Sequence, residues 1–408
     1  MKIFVLITCL IVELNFASAS IFSRYTRFTG DWGGARTYLS EKGFDVKSRY
    51  VFDIFQVQKH FNLQPSSFYI QNIDIDFIFD LEKILGIKNA ILLFDLQGMN
   101  GKNPNFSIIR SFQGVSNIEA WNNFLIYEFW YQQKLCDDKL SLLLGLFDLN
   151  SEFDVSPAKS HFITPSHGIG TDFALTGKLG PSVFPLTSLA LRVRYEFSND
   201  AKVSFAVLDG LPGDTNNLRG THVLLKNSDG LLIVAEGDFF HNESADYLTN
   251  PFFKLGFWYY TDKYTHLVSG IKQWGVYGII ESVLFSEKAD KKQGLLVSFR
   301  LGCSDPHTNF TDIFIGASLE YQGLIPKRNN DYCGIGFTYS RLTDYYHKRF
   351  TAKPFDSHYF DTNAEFYYRF QVTGFLSLQP VFGYFFSPAY NPEFEQYWVA
   401  GLRLNVQL

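Results

Sequence analysis

The fold is decided by the stretch Phe124-Leu-Ile-Tyr-Glu-Phe-Trp-Tyr-Gln-Gln133, in which the two sets of alternate side chains differ in polarity. A β-strand turns successive side chains to opposite faces, so one face is expected to hold Glu128, Trp130 and Gln132, and the other Tyr127, Phe129 and Tyr131. After a turn at 136–139, Leu140-Ser-Leu-Leu-Leu-Gly-Leu-Phe147 returns as a second strand. One face of this hairpin therefore requires water, and the other requires a protein core or a lipid bilayer.

The same alternation recurs along the chain. In 189–197, Arg192, Arg194 and Glu196 alternate with leucine, valine and aromatic side chains, and 71–80, 361–371 and 396–408 follow a similar pattern. The pattern predicts about 16 strands. Their expected positions are 48–58, 68–80, 89–99, 123–133, 140–148, 188–198, 201–209, 230–240, 251–261, 273–285, 293–302, 311–321, 332–341, 361–371, 374–385 and 396–408.

These two faces distinguish between two all-β architectures. A β-sandwich would place the charged faces outside, whereas a transmembrane barrel places them around its interior and also removes exposed strand edges. Bacterial single-chain barrels have an even number of strands, as predicted here. We therefore predict an all-β fold, a transmembrane antiparallel β-barrel of the bacterial outer-membrane type.

The domain organisation follows from this fold. Residues 1–19 have the charged start, apolar centre and small-residue cleavage site of a signal peptide. Residues 20–47 are predicted to form an N-terminal periplasmic or plug segment, and residues 48–408 the barrel. With both termini periplasmic, the long connections 100–122, 149–187, 210–229 and 342–360 are all expected on the extracellular side. The predicted location is the cell outer membrane, after export through the inner membrane.

Composition excludes several other classes. After the signal peptide, no run approaches the roughly 18 apolar residues of a transmembrane helix, which excludes a helical membrane protein. Aromatic residues make up 18% of the chain, in keeping with lipid-facing aromatic girdles. A net charge of −5 argues against a nucleic-acid partner. Cys136, Cys303 and Cys333 are widely spaced, which indicates neither a disulfide framework nor a zinc site.

The sequence contains no catalytic or cofactor motif that we recognise. His161, Ser166 and His167 supply the residue types of a hydrolase within one loop, but nothing in the sequence orients a base. Asp74 and Asp76 alternate on one strand face, which a wetted wall explains better than a metal pair. We predict that the protein is not an enzyme, and that it has no cofactor and no metal site.

The candidate binding residues are aromatic and charged side chains near the two long loops at 100–122 and 149–187. Aromatic rings stack on the C–H face of a sugar, and carboxylates and guanidinium groups bind its hydroxyls. The predicted pore-lining residues are Arg36, Glu119, Trp121, Glu128, Trp130, Arg192 and Arg194. For each of them the alternative remains that the charge only hydrates and stiffens the wall.

Seven motifs follow one another along the mature chain: Thr29-Gly-Asp-Trp-Gly-Gly-Ala-Arg36, Asn117-Ile-Glu-Ala120, Ile126-Tyr-Glu-Phe-Trp-Tyr-Gln132, Gly145-Leu-Phe-Asp-Leu-Asn-Ser-Glu-Phe-Asp154, Ser166-His-Gly-Ile-Gly170, Leu208-Asp-Gly-Leu-Pro-Gly-Asp214 and Trp258-Tyr-Tyr-Thr261. Together they resemble the motifs of the carbohydrate-selective porins, the OprB family. The resemblance implies a 16-stranded outer-membrane barrel that passes monosaccharides such as glucose by facilitated diffusion, without energy input. It also implies a monomer in outer-membrane lipid, inserted by the barrel-assembly machinery.

Two other functions remain open from the residues alone. One is a structural or adhesive barrel plugged by the loop 148–187, and the other is an outer-membrane hydrolase. One departure from the usual pattern is the final residue, Leu408, since outer-membrane barrels commonly end in an aromatic residue.

Overall fold

The structure is a computed structural model that describes residues 26–59, 65–239, 252–262, 272–287, 293–350, 359–389 and 396–408. The predicted signal peptide, 1–19, lies outside these residues. So does the beginning of the predicted N-terminal segment, 20–47.

Within the described residues, sixteen antiparallel strands form one closed barrel in which each strand pairs with its neighbours in the chain. β16 closes the barrel against β1, from Arg49 opposite Gln407 to Lys59 opposite Tyr397. This confirms the predicted fold class. The strands are β1 (Phe44–Lys59), β2 (Ser66–Asp80), β3 (Ala90–Gly101), β4 (Asn123–Leu135), β5 (Leu140–Phe147), β6 (Ser188–Ser198), β7 (Ala201–Asp209), β8 (Leu231–Phe239), β9 (Phe252–Tyr260), β10 (Trp274–Ser286), β11 (Gly294–Ser304), β12 (Thr311–Gln322), β13 (Tyr332–Leu342), β14 (Phe360–Gln371), β15 (Leu376–Phe385) and β16 (Tyr397–Gln407).

The strands lie where the alternation predicts them, with one larger difference at the start of β1. This strand begins at Phe44 and not at residue 48, because Phe44 to Lys47 pair with Phe79 to Asp76 of β2. The segment before the barrel is therefore shorter than the predicted 20–47.

The two faces of the strands differ as expected from their sequences. On β6, Leu191 and Phe197 are 49% and 61% exposed on the outer surface, whereas Arg192 is fully buried inside. Exposed apolar side chains such as Phe129, Leu255 and Ile335 occupy the same outer face on other strands. The barrel thus presents an apolar surface outward and most of its charged groups inward.

The predicted alternation is wrong at Tyr127, which we expected on the outer face with Phe129 and Tyr131. The pairing of β4 with β3 shifts between Asp95 and Leu96, so β4 contains one extra residue at this point. A bulge of this kind changes the phase of the alternation. Tyr127 is consequently buried, and its hydroxyl donates a hydrogen bond to Asp148 Oδ2 at 2.7 Å.

Proline lacks a backbone donor, and the structure shows how Pro380 fits inside β15. Pro380 lies opposite Leu402 of β16. On the other side, the register with β14 runs from Tyr367–Val381 directly to Phe370–Leu378, so the ladder is interrupted beside the proline.

Helices are short and lie in the connections. They are α1 (Ala35–Glu41), α2 (Leu81–Leu85), α3 (Thr171–Ala174) and α4 (Asp344–Phe350), with 3-10 turns at Trp32–Gly34, Leu149–Ser151, Pro157–Lys159 and Pro165–His167 and a π turn at Asn105–Ile109. The Asp80 side chain begins α2 by accepting hydrogen bonds from the backbone N–H groups of Glu82 and Lys83. Among the described residues, no helix has both the length and the apolar character needed to cross a bilayer.

The two ends of the barrel have different connections. β1 begins and β16 ends at one end, which we call the terminal end; the opposite end is the loop end. Because the strands alternate in direction, the connections 102–122, 148–187, 210–230 and 343–359 all lie at the loop end. The expectation that this end is extracellular stays a prediction.

The hydrophobic core lies inside the barrel, between the wall and residues 148–187, which we call the inward loop. The Phe173 ring of this loop stacks on Trp258 of β9, with ring centroids 5.2 Å apart. Tyr260 and Tyr277 on the inner wall are also fully buried in this cluster. The inner face is therefore not uniformly polar, and the inward loop covers its apolar part.

Candidate functional site

The inward loop is held to the barrel wall by a buried ion-pair cluster around Arg300 of β11. The guanidinium group of Arg300 donates to both carboxylate oxygens of Asp154, each at 2.7 Å, and to Asp172 Oδ1 at 2.6 Å. All three side chains have no exposed surface. A Cβ atom at Gly302 would collide with the Asp172 carboxylate, so glycine on β11 allows this close approach.

Further carboxylates of the wall accept hydrogen bonds from the backbone of the inward loop. Glu236 of β8 accepts from Asp154 N at 2.8 Å, and Glu281 of β10 accepts from Ala158 N at 3.1 Å. Glu365 of β14 accepts from Ile163 N at 2.9 Å and Thr164 N at 2.8 Å. The inward loop therefore runs along the inner wall from β8 to β14. The wall carboxylates replace the partners that its backbone would otherwise find in water.

The loop 102–122 is fixed from within by Glu119. The Glu119 carboxylate accepts hydrogen bonds from the backbone N–H groups of Asn105 at 2.8 Å and Val115 at 3.1 Å. Burial raises the pKa of Glu119 to about 7, and the backbone N–H donors oppose this effect. Glu119 therefore shapes this loop, and the structure gives it no contact with the other predicted site residues.

Two other predicted site residues also lie apart from the strand group. The Trp121 indole N–H donates to the backbone oxygen of Leu218 at 2.6 Å, which joins the loops 102–122 and 210–230. Arg36 lies at the terminal end, where Nη1 donates to the backbone oxygen of Leu408 at 3.3 Å. The guanidinium carbon of Arg36 lies 4.1 Å from the centre of the Trp32 ring.

The remaining four predicted residues lie on inner strand faces as two pairs, Glu128 with Trp130 on β4 and Arg192 with Arg194 on β6. Glu128 Oε1 accepts a hydrogen bond from Trp130 Nε1 at 3.1 Å and another from Asp148 N at 2.9 Å. Gln132, two residues further along β4, accepts from Arg192 Nη2 at 2.7 Å. The Trp130 ring is therefore held by its N–H group, while part of its surface stays exposed.

The two arginines of β6 differ in their surroundings. Arg192 is fully buried and donates to Ser141 Oγ at 2.7 Å and to Glu152 Oε1 of the inward loop at 2.8 Å. Arg194 keeps 19% of its side chain exposed and lies 3.7 Å from Glu152 and 3.5 Å from Glu196. Contacts of that length are too long for strong hydrogen bonds, so the guanidinium group of Arg194 retains donors for another partner.

Sequence reasoning missed Glu152, the inward-loop residue that contacts both β6 arginines. It also missed two further pairs on the inner wall: Arg49 with Asp74 at 2.8 Å, and Arg403 with Asp53 at 2.7 Å. The alternation signalled Asp74 and Arg403 as inward residues, but alternation within one strand gives no signal for pairs between two strands.

The residues that suggested a hydrolase are not assembled into a catalytic site. Ser166 Oγ and both ring nitrogens of His167 are buried, and they have no hydrogen-bond partner among the described residues. Burial lowers the pKa of His167 to about 3, with Lys159 acting in the same direction, so the ring is neutral at ordinary pH. His161 Nδ1 lies 2.8 Å from Glu320 Oε2 instead. In the described part of the chain, no three His, Cys, Asp or Glu side chains are grouped to hold a metal ion.

A closed barrel with an apolar exterior, a charged interior and an inward loop attached to its wall defines the class of transmembrane diffusion porins. Residues 64–408 match the family described as "Carbohydrate-selective porin, OprB family". The chain therefore belongs to the OprB family of carbohydrate-selective porins, and its location is the bacterial outer membrane. This confirms the predicted family, function class and location.

Individual relatives cover nearly the whole chain. The sequence is 25% identical to Porin B of Pseudomonas aeruginosa over 431 residues, which cover 95% of this chain and 93% of that protein. It is 20% identical over 421 residues to a protein of Acinetobacter baylyi named Putative porin QuiX, covering 92% of each. The high-pH structure of Pseudomonas putida OprB superimposes with a TM-score of 0.82 at 23% identity, covering 96% of this chain and 100% of that one. This last likeness concerns the fold.

Proposed function

We propose that this porin passes neutral monosaccharides, glucose among them, by facilitated diffusion without energy input. The observation that carries the proposal is that the partly exposed ring of Trp130 on β4 and the incompletely paired guanidinium group of Arg194 on β6 both lie on the inner wall. An aromatic ring offers a stacking surface to a sugar, and a guanidinium group offers hydrogen bonds to hydroxyls. Binding at such a group is weak, because a channel must release what it binds.

The four residues have different parts in this proposal. Trp130 and Arg194 contact the sugar, and Glu128 fixes the Trp130 ring through the indole N–H. Arg192 is a positioning residue, because it holds Gln132 and Glu152 in place from a fully buried site. Arg192→Lys would keep the charge but lose the planar fork that reaches both partners.

Sugar titration of single-channel currents in planar bilayers tests the contact with Trp130. Trp130→Ala is expected to raise the glucose concentration for half-block about threefold to tenfold, because aromatic stacking contributes about 1 kcal/mol. Phe129→Ala is the matched control, since Phe129 is the preceding residue of β4 and faces outward. If glucose blocks the current through Trp130→Ala and Phe129→Ala at the same concentration as through the unmodified protein, Trp130 belongs to the wall and does not bind sugar.

The alternative of a plugged structural barrel is favoured by one observation, the large part of the interior that the inward loop occupies. Open-channel conductance decides between the two functions. A porin gives stable ion current and swelling of liposomes in isotonic glucose, whereas a plugged barrel gives neither.

We also infer that the protein works as a monomer in outer-membrane lipid, after insertion by the barrel-assembly machinery. The apolar side chains on the outer faces of many strands support this, because such a surface matches lipid around most of the circumference. The mass of the particle in detergent, measured by light scattering with the detergent contribution subtracted, checks the monomer.

A further inference from the structure

One arginine on the inner wall is paired differently from the others. Among the described residues, the other arginines on inner strand faces each lie within 4 Å of a carboxylate: Arg49 with Asp74, Arg192 with Glu152, Arg194 with Glu152 and Glu196, Arg300 with Asp154 and Asp172, and Arg403 with Asp53. Arg369 of β14 has a hydroxyl instead, because its Nε donates to Ser377 Oγ at 3.2 Å. No carboxylate of the described residues forms an ion pair with it.

Arg369 lies on the inner wall, close to the point where the inward loop reaches it. It shares the inner face of β14 with Glu365 and Tyr367, and it lies opposite Tyr332 of β13. The Tyr332 ring packs against the His161 ring of the inward loop, with centroids 4.2 Å apart. Because β14 ends at Gln371, Arg369 lies on the terminal side of Glu365, which accepts hydrogen bonds from Ile163 N and Thr164 N of the inward loop.

The nearest carboxylate on this part of the wall is already engaged. Glu320 Oε2 lies 2.8 Å from His161 Nδ1 and accepts a hydrogen bond from the Tyr367 hydroxyl. Asp53 of β1 is held by both Nε and Nη2 of Arg403. Arg369 is therefore partly removed from bulk water, and Glu320 acts on its charge only from beyond 4 Å.

A partly desolvated cation without a carboxylate in contact is costly, and an anion that enters the channel would supply that contact. The guanidinium fork binds carboxylate and phosphate oxygens in pairs, and these hydrogen bonds are among the strongest in proteins. Rings of arginine or lysine serve as selectivity elements in anion-conducting pores. Here the Ser377 hydroxyl and the Tyr332 ring lie next to the guanidinium group, and such groups suit the hydroxyls and the ring of a sugar.

We propose that Arg369 forms an anion subsite on the terminal side of the inward loop, and that the channel also takes monosaccharides carrying a carboxylate or a phosphate. This inference rests on the proposed passage of sugars and extends it to a charged substrate class. Trp130 and Arg194 are the proposed contacts of a neutral sugar, whereas Arg369 is a separate contact for the acidic substituent of a charged one.

The test compares block of single-channel current by glucose, glucuronate and glucose 1-phosphate. In Arg369→Gln, the half-blocking concentration of the anionic sugars is expected to rise about tenfold, because one charge-assisted pair is lost, while the glucose value stays within about twofold. The half-blocking concentration of the anionic sugars for Arg369→Lys should lie between the values for the unmodified protein and Arg369→Gln, since lysine keeps the charge without the guanidinium fork. A block that weakens in Arg369→Gln for both anionic sugars, or for one of them, supports the subsite and identifies whether it accepts a carboxylate, a phosphate or both.

The matched control is Arg341→Gln, which removes the same charge from an arginine that is paired with Asp312 on the outer side of β13. An equal change for glucose and the anionic sugars in Arg369→Gln would overturn the subsite, and so would no change for either anion. If no sugar passes or blocks the unmodified channel, the proposed function fails, and the reversal potential in a KCl gradient decides the subsite. A shift toward cation selectivity in Arg369→Gln then supports it, and an unchanged potential overturns it.

Discussion

At the scale of single residues, the partners of a charged side chain decide its role. Arg192 and Arg300 have no exposed surface and hold carboxylates of the inward loop, whereas Arg194 remains accessible from the lumen. The alternation of the sequence places all three arginines on inner strand faces. It does not distinguish them, because the carboxylates that differ between them come from a loop at least 40 positions earlier in the chain.

The bulge residue Tyr127 allows a test with a pH signature. Burial raises the pKa of Asp148 from 3.8 to about 6, and the hydrogen bond from Tyr127 opposes that effect. The native state therefore binds more protons than the unfolded state between these pH values, and the contribution of Asp148 to stability declines as the pH rises through 6. Tyr127→Phe removes the donor that stabilises the ionised carboxylate. The free energy of unfolding should fall by about 1.5–3 kcal/mol at pH 8, and by less at pH 4.

Urea-induced unfolding in lipid vesicles at the two pH values measures this difference. Tyr131→Phe is the control, because its hydroxyl bonds to Gln133 on the exposed outer face. An effect of Tyr127→Phe that is equal at pH 4 and pH 8 would contradict the assigned hydrogen bond to an ionised Asp148.

At the scale of elements, the inward loop and the wall depend on each other. The wall supplies Glu236, Glu281 and Glu365 to the backbone of the loop, and the loop covers Trp258 and Tyr277 of the wall. Without the inward loop, the inner wall would expose those aromatic rings to water. The loop therefore narrows the channel and completes its core at the same time.

Arg300→Met tests this dependence. The change leaves the buried carboxylates of Asp154 and Asp172 without their cation, a loss that costs about 3–5 kcal/mol. We expect the inward loop to leave the wall, so that open-channel conductance rises and proteases cleave within 148–187. The control is Arg341→Met, because the Arg341 side chain is 50% exposed and its partner Asp312 does not belong to the inward loop. A variant that folds with unchanged conductance and no new cleavage would show that this ion pair does not hold the loop.

The sequence predicts the elements well and their contacts poorly, for a physical reason. A barrel strand has lipid on one side, so alternation specifies its face and its position, as on β6 and β7. The bulge at Tyr127 and the start of β1 at Phe44 depend on pairing with another strand, and alternation within one strand does not contain that information. The wall carboxylates were expected to meet water, because nothing local shows that Glu281 or Glu365 receives a loop. Glu128, Trp130, Arg192 and Arg194 lie on β4 and β6, the two strands that flank β5, and the alternation within each strand was enough to place them on the inner wall.

At the scale of the whole molecule, the barrel is stable only when its first and last strands stay paired. The segment before β1 reinforces this seam: Phe28 N donates to Gln407 O at 2.7 Å, and the Phe28 ring packs edge-on against Phe375. Leu408 N donates to Ser48 O at 2.8 Å on the other side. Arg36 also contacts the last residue of the chain, by donating a hydrogen bond to Leu408 O. The buried arginine of the motif Thr29–Arg36 therefore helps to hold the barrel closed.

Arg36→Ala should therefore weaken the closed barrel without changing the lumen. The loss of its hydrogen bonds to Leu408 O and Thr29 Oγ1, both 3.3 Å, and of its contact with the Trp32 ring is expected to cost about 1–2 kcal/mol. Folded barrels resist SDS until they are heated. The temperature at which the electrophoretic band moves to the unfolded position should therefore fall by several degrees, which is the shift expected when a large domain loses this much stability.

Lys42→Ala, at the exposed end of α1, should leave that temperature unchanged. Sugar block of Arg36→Ala should match the unmodified protein, because Arg36 lies at the seam. A normal conversion temperature combined with weakened sugar block would instead assign Arg36 to the permeation path.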